Sequence, residues 1–381
     1  MSSYDVIVIG AGSVGTPLTM SLALGKVGVL CLDRGGSAGQ GNNKCAIGGI
    51  RATHGEPAKV KLCLHSLEVF RTWQGRYGDD IGWRQGGYTF VAYDRVTAGL
   101  LQDMIPVQQA AGLDIGWKDA AGVSALVPGI STDGLIGGTF SPGDGSASPM
   151  ASCYAFCRRA RELGAEFRFR ETVTGIRAEP GGFTVTTDRG SYACGSVVNC
   201  AGSEAASLGR MAGLDLPVYP DSHEAGITEP VEPFFGPMVV DIRKAPGSKN
   251  YYFYQYHSGQ VVFCITPDPV IPGTDIRETS GFLPMVARRM VDLYPRLARL
   301  KVRRTWRGVY PQTPDGSPFM GQAGPDGHYI AVGMCGQGFM LGPGAGDLMA
   351  RLVTGETAPG DLEVLHDLRP DREFASEEHL K

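Results

Sequence analysis

Two glycine-rich segments, one near each end of the chain, have the composition of anion-binding loops. Gly10, Gly12 and Gly15 form a GxGxxG motif, and residues 332–356 read VGMCGQGFMLGPGAGDLMARLVTGE. Each segment runs into residues with helical periodicity, and the free N–H groups and dipole at a helix N-terminus attract negative charge. The first segment predicts a phosphate site. The second, rich in apolar side chains, predicts an anion site of another kind.

The elements that must position the first motif follow it in order. Residues 4–9 (YDVIVI) form an apolar run without alternation, typical of a strand buried on both faces. A helix is predicted next, then a second apolar strand over 27–32 that ends at Asp33. Glycines in this arrangement let the backbone approach a pyrophosphate, and the acid accepts hydrogen bonds from a ribose hydroxyl. Arg34 suits either a 2′-phosphate or solvent, so the motif alone leaves both FAD and NAD open.

The composition is that of a globular protein and argues against several functional classes. The 381 residues are 43% hydrophobic and 19% charged, with a net charge of −4, which gives no reason to expect nucleic acid or an anionic membrane as partner. No apolar run reaches about 18 residues, and the N-terminus lacks the basic region of a signal peptide, so we expect no membrane span. The nine cysteines lack zinc-site spacing, which predicts no metal and fits the cytoplasm.

Between the two glycine-rich segments, the pattern alternates between two kinds of structure. Residues 39–55 (GQGNNKCAIGGIRATHG) are too polar and too rich in glycine for a strand, and they predict a loop that wraps a ligand. Amphipathic helices are predicted over 58–77, from 148 or 149 to 164, and over 282–297, and residues 217–271 are β-rich. With no repeat or linker, the chain is expected to pass twice between two domains.

These motifs, taken in order, resemble the D-amino-acid oxidase superfamily of FAD-dependent oxidoreductases. The resemblance rests on the GxGxxG motif with Asp33, DGSASP at 144–149, VVNCAG at 197–202, GVYPQTPDGSPFMG at 308–321 and the start of the second glycine-rich segment. The loop over 41–52 (GNNKCAIGGIRA) is most similar to the β-subunits of heteromeric sarcosine oxidases and of proline or hydroxyproline dehydrogenases. The likeness covers nearly the whole chain.

The resemblance implies an α/β (α+β) fold with two domains. An FAD-binding Rossmann-like domain would comprise residues 1–81, 139–216 and 300–381, and a smaller substrate domain on a mixed β-sheet would comprise 82–138 and 217–299. The second glycine-rich loop would face the pyrimidine edge of the flavin, where negative charge gathers on reduction. The cofactor-binding residues implied are Gly10, Gly12, Ser13, Val14, Gly15, Asp33, Arg34, Asn42, Asn43, Lys44, Cys45, Ala46, Gly48, Val173, Cys200, Ala201, Gly202, Gly308, Gly333, Gly336, Gln337, Gly338, Phe339 and Met340.

The reaction implied is oxidation of the C–N bond of a small amino acid. Hydride would pass from the carbon beside the amine to flavin N5, and water would hydrolyse the imine. The substrate carboxylate needs a cation, and Arg51 matches the carboxylate-binding position of monomeric sarcosine oxidases. Alternatively, Arg51 binds a backbone carbonyl or an internal acid. His54 lies near Arg51, and a lone histidine is more often structural than catalytic.

Three tyrosines are further candidates for the substrate site. Tyr252 matches a substrate-site tyrosine on a lid strand, and Tyr254 is expected on the same face because strand residues two apart point together. Aromatic strand residues also commonly serve only in packing. Tyr310 would either hydrogen-bond the substrate or cover the flavin. Gln337 and Met340 are expected to face the ring and the substrate.

Three departures from monomeric sarcosine oxidases refine the interpretation. Gly308 stands where those enzymes attach the flavin through a cysteine, so we expect noncovalent FAD. Val261 falls about where they carry a lysine that promotes reaction with oxygen, which weakens the prediction of an oxidase. Met340 replaces a lysine that helps bind the carboxylate, so carboxylate binding depends more on Arg51.

Several functions remain open at this point. The leading hypothesis is a dehydrogenase or oxidase for a secondary or N-methylated amine such as sarcosine, proline or hydroxyproline. A D-amino acid, a 2-hydroxy acid or a larger amine on the same fold is the alternative substrate class. The chain could instead be a flavin-binding β-subunit that is active only in a hetero-oligomer.

Overall fold

The computed structural model describes residues 2–374 and Leu380, and its architecture is mixed α/β with two large sheets. The strands are β1 (Ser3–Ile9), β2 (Val29–Asp33), β3 (Gly49–Ile50), β4 (Tyr88–Ala92), β5 (Gly116–Asp119), β6 (Gly137–Ser141), β7 (Gly145–Ser146), β8 (Glu166–Phe169), β9 (Val173–Glu179), β10 (Gly182–Thr187), β11 (Gly190–Asn199), β12 (Tyr219–Pro230), β13 (Met238–Asp241), β14 (Ser248–Gln255), β15 (Gln260–Pro267), β16 (Val302–Gln312), β17 (Phe319–Gln322) and β18 (His328–Val332). The α-helices are α1 (Gly15–Leu24), α2 (Pro57–Tyr77), α3 (Arg95–Ala110), α4 (Ala120–Leu126), α5 (Pro149–Glu162), α6 (Ala205–Met211), α7 (Phe282–Leu293), α8 (Gly338–Thr354) and α9 (Pro359–Asp367). The predicted fold class is confirmed.

The first sheet is built around the N-terminal strand. β1 lies between β11 and β2 and is parallel to both, and the order across the sheet is β17-β18-β11-β1-β2-β8. Val6 and Val8 pack into the core on one face of β1, and Ile7 and Ile9 pack into the core on the other. This double burial explains the apolar run without alternation.

The second sheet is mainly antiparallel, in the order β16-β12-β15-β14-β13-β4-β6-β5, with β13 and β4 parallel. Its back face packs against α7 through residues such as Phe253 and Phe263, whereas Tyr254 and Val240 belong to a separate cluster on the front. The predicted domain boundaries assign β16 and most of β6 to the cofactor domain. In the structure both are strands of the second sheet, because they pair with β12 and β4.

The predicted helix over 282–297 is divided in two. α7 ends at Leu293, and a 3-10 helix covers Pro295–Arg299. The cause is Pro295, which disfavours helical geometry at the residue before it. Tyr294 accordingly has φ −141° and ψ 82°.

The glycines within α8 bring three helices into backbone contact. A Cβ on Gly342 would lie 1.9 Å from the Ser13 carbonyl oxygen, and one on Gly344 would lie 2.2 Å from that of Leu62. Because Ser13 precedes α1 and Leu62 belongs to α2, both helices pack directly on α8. A Cβ on Gly338 would lie 3.3 Å from Ser13 Oγ. The two glycine-rich loops, more than 300 residues apart, are therefore neighbours in space.

This packing makes a prediction about stability. Gly344→Ala should destabilise the protein by about 1–3 kcal/mol, because the new methyl group overlaps the α2 backbone, which cannot rotate away. The measurement is thermal unfolding of the apoprotein. The matched control is Gly360→Ala in α9, where an added Cβ meets nothing within 4 Å. It should be neutral or stabilising, and an equal loss in both variants would contradict the account.

Candidate active site

A cavity of about 540 Å³ is lined by residues of both sheets. One end is formed by the GxGxxG loop and the end of β2, and the other by the front face of the second sheet. The start of α8 and the loop before β3 border the space between them. A volume of this size suits a small-molecule or cofactor site.

At the first end, Asp33 shapes the glycine loop. Its carboxylate accepts hydrogen bonds from the N–H groups of Ala11 at 2.7 Å and Gly35 at 2.6 Å. Gly10 has φ +108°, and a Cβ there would lie 2.5 Å from the Cys200 carbonyl oxygen. A carboxylate has about four lone-pair sites, so Asp33 retains acceptor capacity for a ribose hydroxyl.

The middle of the cavity is bordered by backbone and small polar groups. Asn42 donates to Ser203 Oγ at 3.2 Å, and Asn43 donates to the Pro149 carbonyl at 2.9 Å. The Oδ1 atom of Asn43 is buried with no hydrogen-bond partner among the described residues. Such groups suit a ligand that presents several polar atoms along its length.

The start of α8 supplies the clearest sign of an intended ligand. Gln337 precedes the helix, is buried and lines the cavity, yet neither polar atom of its amide has a partner in the described part of the chain. Leaving a buried amide unpaired is costly, which indicates that a bound group completes it. The pyrimidine edge of a flavin carries both donors and acceptors, so Gln337 and the helix N-terminus fit that cofactor.

The front face of the second sheet forms the opposite wall. Successive strands place neighbouring side chains in one row, because strand residues in register point to the same face. Tyr252 pairs with Cys264 on one side and Val240 on the other, and Val240 pairs with Phe90. The row is mainly apolar and aromatic, and all four of these residues line the cavity.

Arg51 is the buried cation at this end. Its side chain follows β3, is 6% exposed and lies over the Phe90 ring, 5.4 Å from the centroid. One terminal nitrogen donates to the Thr53 carbonyl and contacts His54 Nδ1 at 3.2 Å. The other donates to the carbonyl of Leu380, whose buried side chain joins the front-face cluster.

Two neighbours hold the Arg51 segment in place. Burial lowers the pKa of His54 well below its usual value, aided by the charge of Arg51, so the imidazole is neutral and accepts from the guanidinium. Asp144 accepts from the Ala52 N–H at 3.0 Å and from Thr53 Oγ1 at 3.1 Å. Burial raises the pKa of Asp144 to about 6 despite these bonds. Both side chains support Arg51, in agreement with the structural interpretation of His54.

The tyrosines divide into two roles. The hydroxyls of Tyr252 and Tyr310 lie 3.0 Å apart in the cavity wall, and burial raises the pKa of both, so both stay protonated. Tyr254 shares the Tyr252 face as expected but donates to the Ile47 carbonyl at 2.5 Å. It therefore anchors the loop and does not line the cavity.

The structure brings most of the proposed site residues to one cavity and leaves four outside it. Gly15, Lys44, Gly333 and Tyr254 do not line it. Arg34 lines the first end but is exposed and forms an ion pair with Glu204 at 3.2 Å. The residues that do line the cavity are Gly10, Gly12, Ser13, Val14, Asp33, Arg34, Asn42, Asn43, Cys45, Ala46, Gly48, Arg51, Val173, Cys200, Ala201, Gly202, Tyr252, Gly308, Tyr310, Gly336, Gln337, Gly338, Phe339 and Met340.

Sequence reasoning missed His223 and Cys264, and it named Val261 as the approximate position of the missing lysine without assigning it to a face of the strand. Val261 packs in the cluster behind the second sheet, whereas Cys264 and Thr266 of the same strand line the cavity. No lysine occurs in β15 on either face. His223 lines the cavity from β12, and its ring stacks on Tyr310 with centroids 3.8 Å apart. Its only sequence signal was an acid two residues earlier.

Comparison with protein families gives the same result. Residues 5–352 match the family described as "DAO: FAD dependent oxidoreductase". The chain belongs to this family. The predictions of family membership and of an FAD-dependent enzyme are confirmed.

Individual relatives cover nearly the whole chain at low identity. Glycine oxidase of Geobacillus kaustophilus is 28% identical over 94% of this chain and 95% of its own. The sarcosine oxidase subunit beta of Rhodobacter capsulatus is 25% identical over 93% of this chain and 86% of its own. The crystal structure of L-proline dehydrogenase from P. horikoshii superposes with a TM-score of 0.88, at 28% identity, over 94% of this chain and 95% of that one.

The described residues contain neither a helix that could span a membrane nor a cluster of metal ligands. No helix there has both the length and the apolar character needed to cross a bilayer. No group of three or more His, Cys, Asp or Glu side chains is arranged to hold a metal ion.

Because the Gln337 amide is unpaired, replacing this side chain should have different effects on the stability of the apoprotein and on the binding of FAD. Gln337→Leu should leave apoprotein stability unchanged or raised, because it removes two unsatisfied buried atoms, while the Kd for FAD rises about tenfold, or ~1.4 kcal/mol. Apoprotein melting and fluorescence titration with FAD measure the two quantities. Gln74→Leu on the exposed face of α2 is the control and should change neither. Unchanged FAD affinity in Gln337→Leu would remove this residue from the cofactor site.

Proposed function

We propose that this protein oxidises the C–N bond of a small amino acid, with a secondary or N-methylated amine of the sarcosine, proline or hydroxyproline type as substrate. FAD supplies the hydride acceptor. The first sheet and its helices hold the cofactor, and the second sheet covers the substrate. The observation that carries the proposal is Arg51, a buried guanidinium beside an aromatic and apolar wall, at the opposite end of the cavity from Arg34.

The residues of the wall have complementary tasks in this proposal. Arg51 binds the carboxylate, for which a planar guanidinium is suited. Phe90 and Val240 contact the apolar part of the substrate, and the paired hydroxyls of Tyr252 and Tyr310 orient the polar part. The N-terminus of α8 stabilises negative charge that develops on the cofactor.

Noncovalent attachment of FAD is part of the proposal. Gly308 offers no thiol, and the space beside it holds the side chain of Cys45, which lies 2.6 Å from where a Cβ on Gly308 would be. The Cys45 thiol donates to the Arg307 carbonyl at 3.4 Å, and burial raises its pKa, which disfavours the reactive thiolate. Acid precipitation should therefore release all flavin into the supernatant, and flavin retained on the protein would contradict this part.

A second candidate is a β-subunit active only with partner subunits. It is favoured by the relative from Rhodobacter capsulatus, which is itself a subunit beta. The absence of lysine from β15 supports an electron acceptor other than oxygen.

A reducing compartment such as the cytoplasm fits the nine cysteines, all within the described residues and none in a disulfide.

The donor class is tested by anaerobic reduction. Purified holoprotein is mixed with sarcosine, L-proline, trans-4-hydroxy-L-proline, glycine, D-alanine and L-lactate, and bleaching of the flavin is followed. The proposal expects reduction by one or more of the first three. Reduction only by D-alanine or lactate would show that the substrate belongs to the alternative class, a D-amino acid or a 2-hydroxy acid. Reduction that requires co-purified proteins would establish the subunit role.

Arg51 is tested by substitution. Arg51→Leu should raise the Kd of the reducing amino acid about 100-fold, on the order of 3 kcal/mol, because a charge-assisted pair to the carboxylate is lost. FAD content should be unchanged. Arg51→Lys should give an intermediate value, because it keeps the charge without the planar fork. Arg210→Leu on the exposed surface of α6 changes the net charge equally and should have no effect. Normal affinity in Arg51→Leu would exclude it from the carboxylate site.

In this proposal, Leu380 competes with the substrate carboxylate for the guanidinium of Arg51. Its carbonyl accepts from the guanidinium, and its side chain is fully buried in the cluster that includes Phe90 and Val240. A variant that ends at Phe374 should therefore bind substrate more tightly, by about tenfold if one hydrogen bond to a charged group is exchanged. Kd from anaerobic reduction is the measurement. Weaker binding would show that the terminal residues support the site instead of competing with substrate.

A further inference from the structure

Glu171 is a buried glutamate in the cavity wall beside Asp33. It follows β8, is 3% exposed, and its N–H donates to the Asp33 carbonyl at 3.1 Å. The N–H of Arg170, which has φ +56°, donates to the Gly35 carbonyl at 2.8 Å. These two bonds tie the turn that carries Glu171 to the loop that carries Asp33. Because a base is bonded directly to its ribose, a side chain beside the ribose-binding acid is placed to meet the base.

The two oxygens of the Glu171 carboxylate are used unequally. The hydroxyls of Thr187 and Tyr192 donate to Oε1 at 2.8 and 2.7 Å, which occupies its two lone-pair sites. Oε2 receives no hydrogen bond from the part of the chain that the structure describes. A buried carboxylate in a cavity wall, with one oxygen still lacking a donor, indicates a ligand that supplies one.

The surroundings of this carboxylate are apolar and suit a flat ring. Val173 and Leu208 are buried in one cluster, Met211 packs against that cluster, and all three line the cavity. We call Asp33, Glu171, Val173, Leu208 and Met211 the adenosine end of the cavity. An apolar pocket with one placed polar group is typical of sites in which that group selects the ligand.

The other charged side chains near the adenosine end are already engaged. Arg34 and Glu204 line the cavity but pair with each other at 3.2 Å, with side chains that are 64% and 38% exposed. Solvent screens such an exposed pair, so it contributes little to selectivity. Each oxygen of Asp33 accepts from a backbone N–H group. Glu171 is therefore the buried side chain at this end that can select a base.

We propose that Glu171 recognises the adenine of FAD by accepting a hydrogen bond from its 6-amino group through Oε2. A 6-oxo purine presents an acceptor at the same position, which the carboxylate repels. Because Oε1 is occupied, the side chain cannot bind the two adjacent donors of guanine with both oxygens, and this also favours adenine. The inference follows from the FAD dependence of the family and is independent of the proposed amino-acid substrate.

The test compares FAD with its deaminated analogue, flavin hypoxanthine dinucleotide, in which an oxygen replaces the 6-amino group of adenine. Full-length apoprotein is titrated with each compound, and the change in flavin fluorescence gives the Kd. Wild-type protein should bind FAD about 10- to 100-fold more tightly, because the analogue loses a charge-assisted hydrogen bond. Equal Kd values for the two compounds would overturn the proposal.

Glu171→Gln is the most informative variant because the amide keeps one oxygen. That oxygen can still accept from Thr187 and Tyr192, while an NH₂ group takes the place of Oε2 and turns the free acceptor into a donor. The variant should bind the analogue, whose 6-oxo group accepts, at least as tightly as FAD. A loss of affinity that is equal for both compounds contradicts the proposal, because a purely structural role of Glu171 predicts that result.

The matched control is Glu166→Gln. Glu166 also accepts from a tyrosine hydroxyl, that of Tyr4 at 2.5 Å, but it does not line the cavity. This variant should keep the wild-type preference for FAD, and a reversed preference here would refute the assignment to Glu171. The ratio of the two Kd values is the decisive quantity, because a partly unfolded population raises both values by the same factor.

Discussion

The burial of one positive charge at Arg51 is the constraint around which the substrate end is built. A buried guanidinium must have its N–H groups satisfied, and here they meet two backbone carbonyls and a neutral imidazole, with no carboxylate among these partners. Asp144 accepts instead from the backbone N–H of Ala52 and the side-chain hydroxyl of Thr53, so it is not one of these partners. A charge held in this way favours an incoming carboxylate. The aromatic wall restricts the rest of the molecule that carries this carboxylate.

The cofactor end depends on a different constraint, the close approach of backbones. Gly342 and Gly344 allow α8 to touch the chain at Ser13 and Leu62, which brings the second glycine-rich loop beside the first. The two loops then border one cavity of about 540 Å³, a volume that suits a cofactor-sized ligand. Helix packing and anion binding are thus separate tasks of one segment: the glycines inside the helix pack, and the residues from Gly336 to Met340 face the cavity.

Much of this could be predicted from sequence because the signals are local. Strand β1, the GxGxxG loop and Asp33 follow from periodicity and spacing within about 30 residues. The end of α7 at Leu293 has an equally local signal, because Pro295 disfavours helical geometry at the residue before it. The pairing register of strands that are distant in sequence could not be predicted. Val261 and Tyr252 could not be assigned to faces of adjacent strands without their pairing, and Tyr254 shares the correct face yet reaches the loop instead of the cavity.

His223 illustrates the same limit more sharply. An imidazole in a strand with polar neighbours is compatible with a solvated surface. The significance of His223 depends on its burial, on the β12–β16 register that brings it to Tyr310, and on an Nδ1 atom that has no partner within the described part of the chain. None of these is a property of residues near it in the chain. The same applies to Leu380, whose contact with Arg51 spans almost the whole sequence.

The central claim is that a buried guanidinium selects an amino acid by its carboxylate. It is tested most directly by comparing sarcosine with sarcosinamide, which has the same amine and reacting carbon but no negative charge, in anaerobic reduction of the holoenzyme. The account predicts that the Kd of the amide is higher by about 100-fold, the value of one charge-assisted pair. Equal Kd values for the two compounds would contradict it.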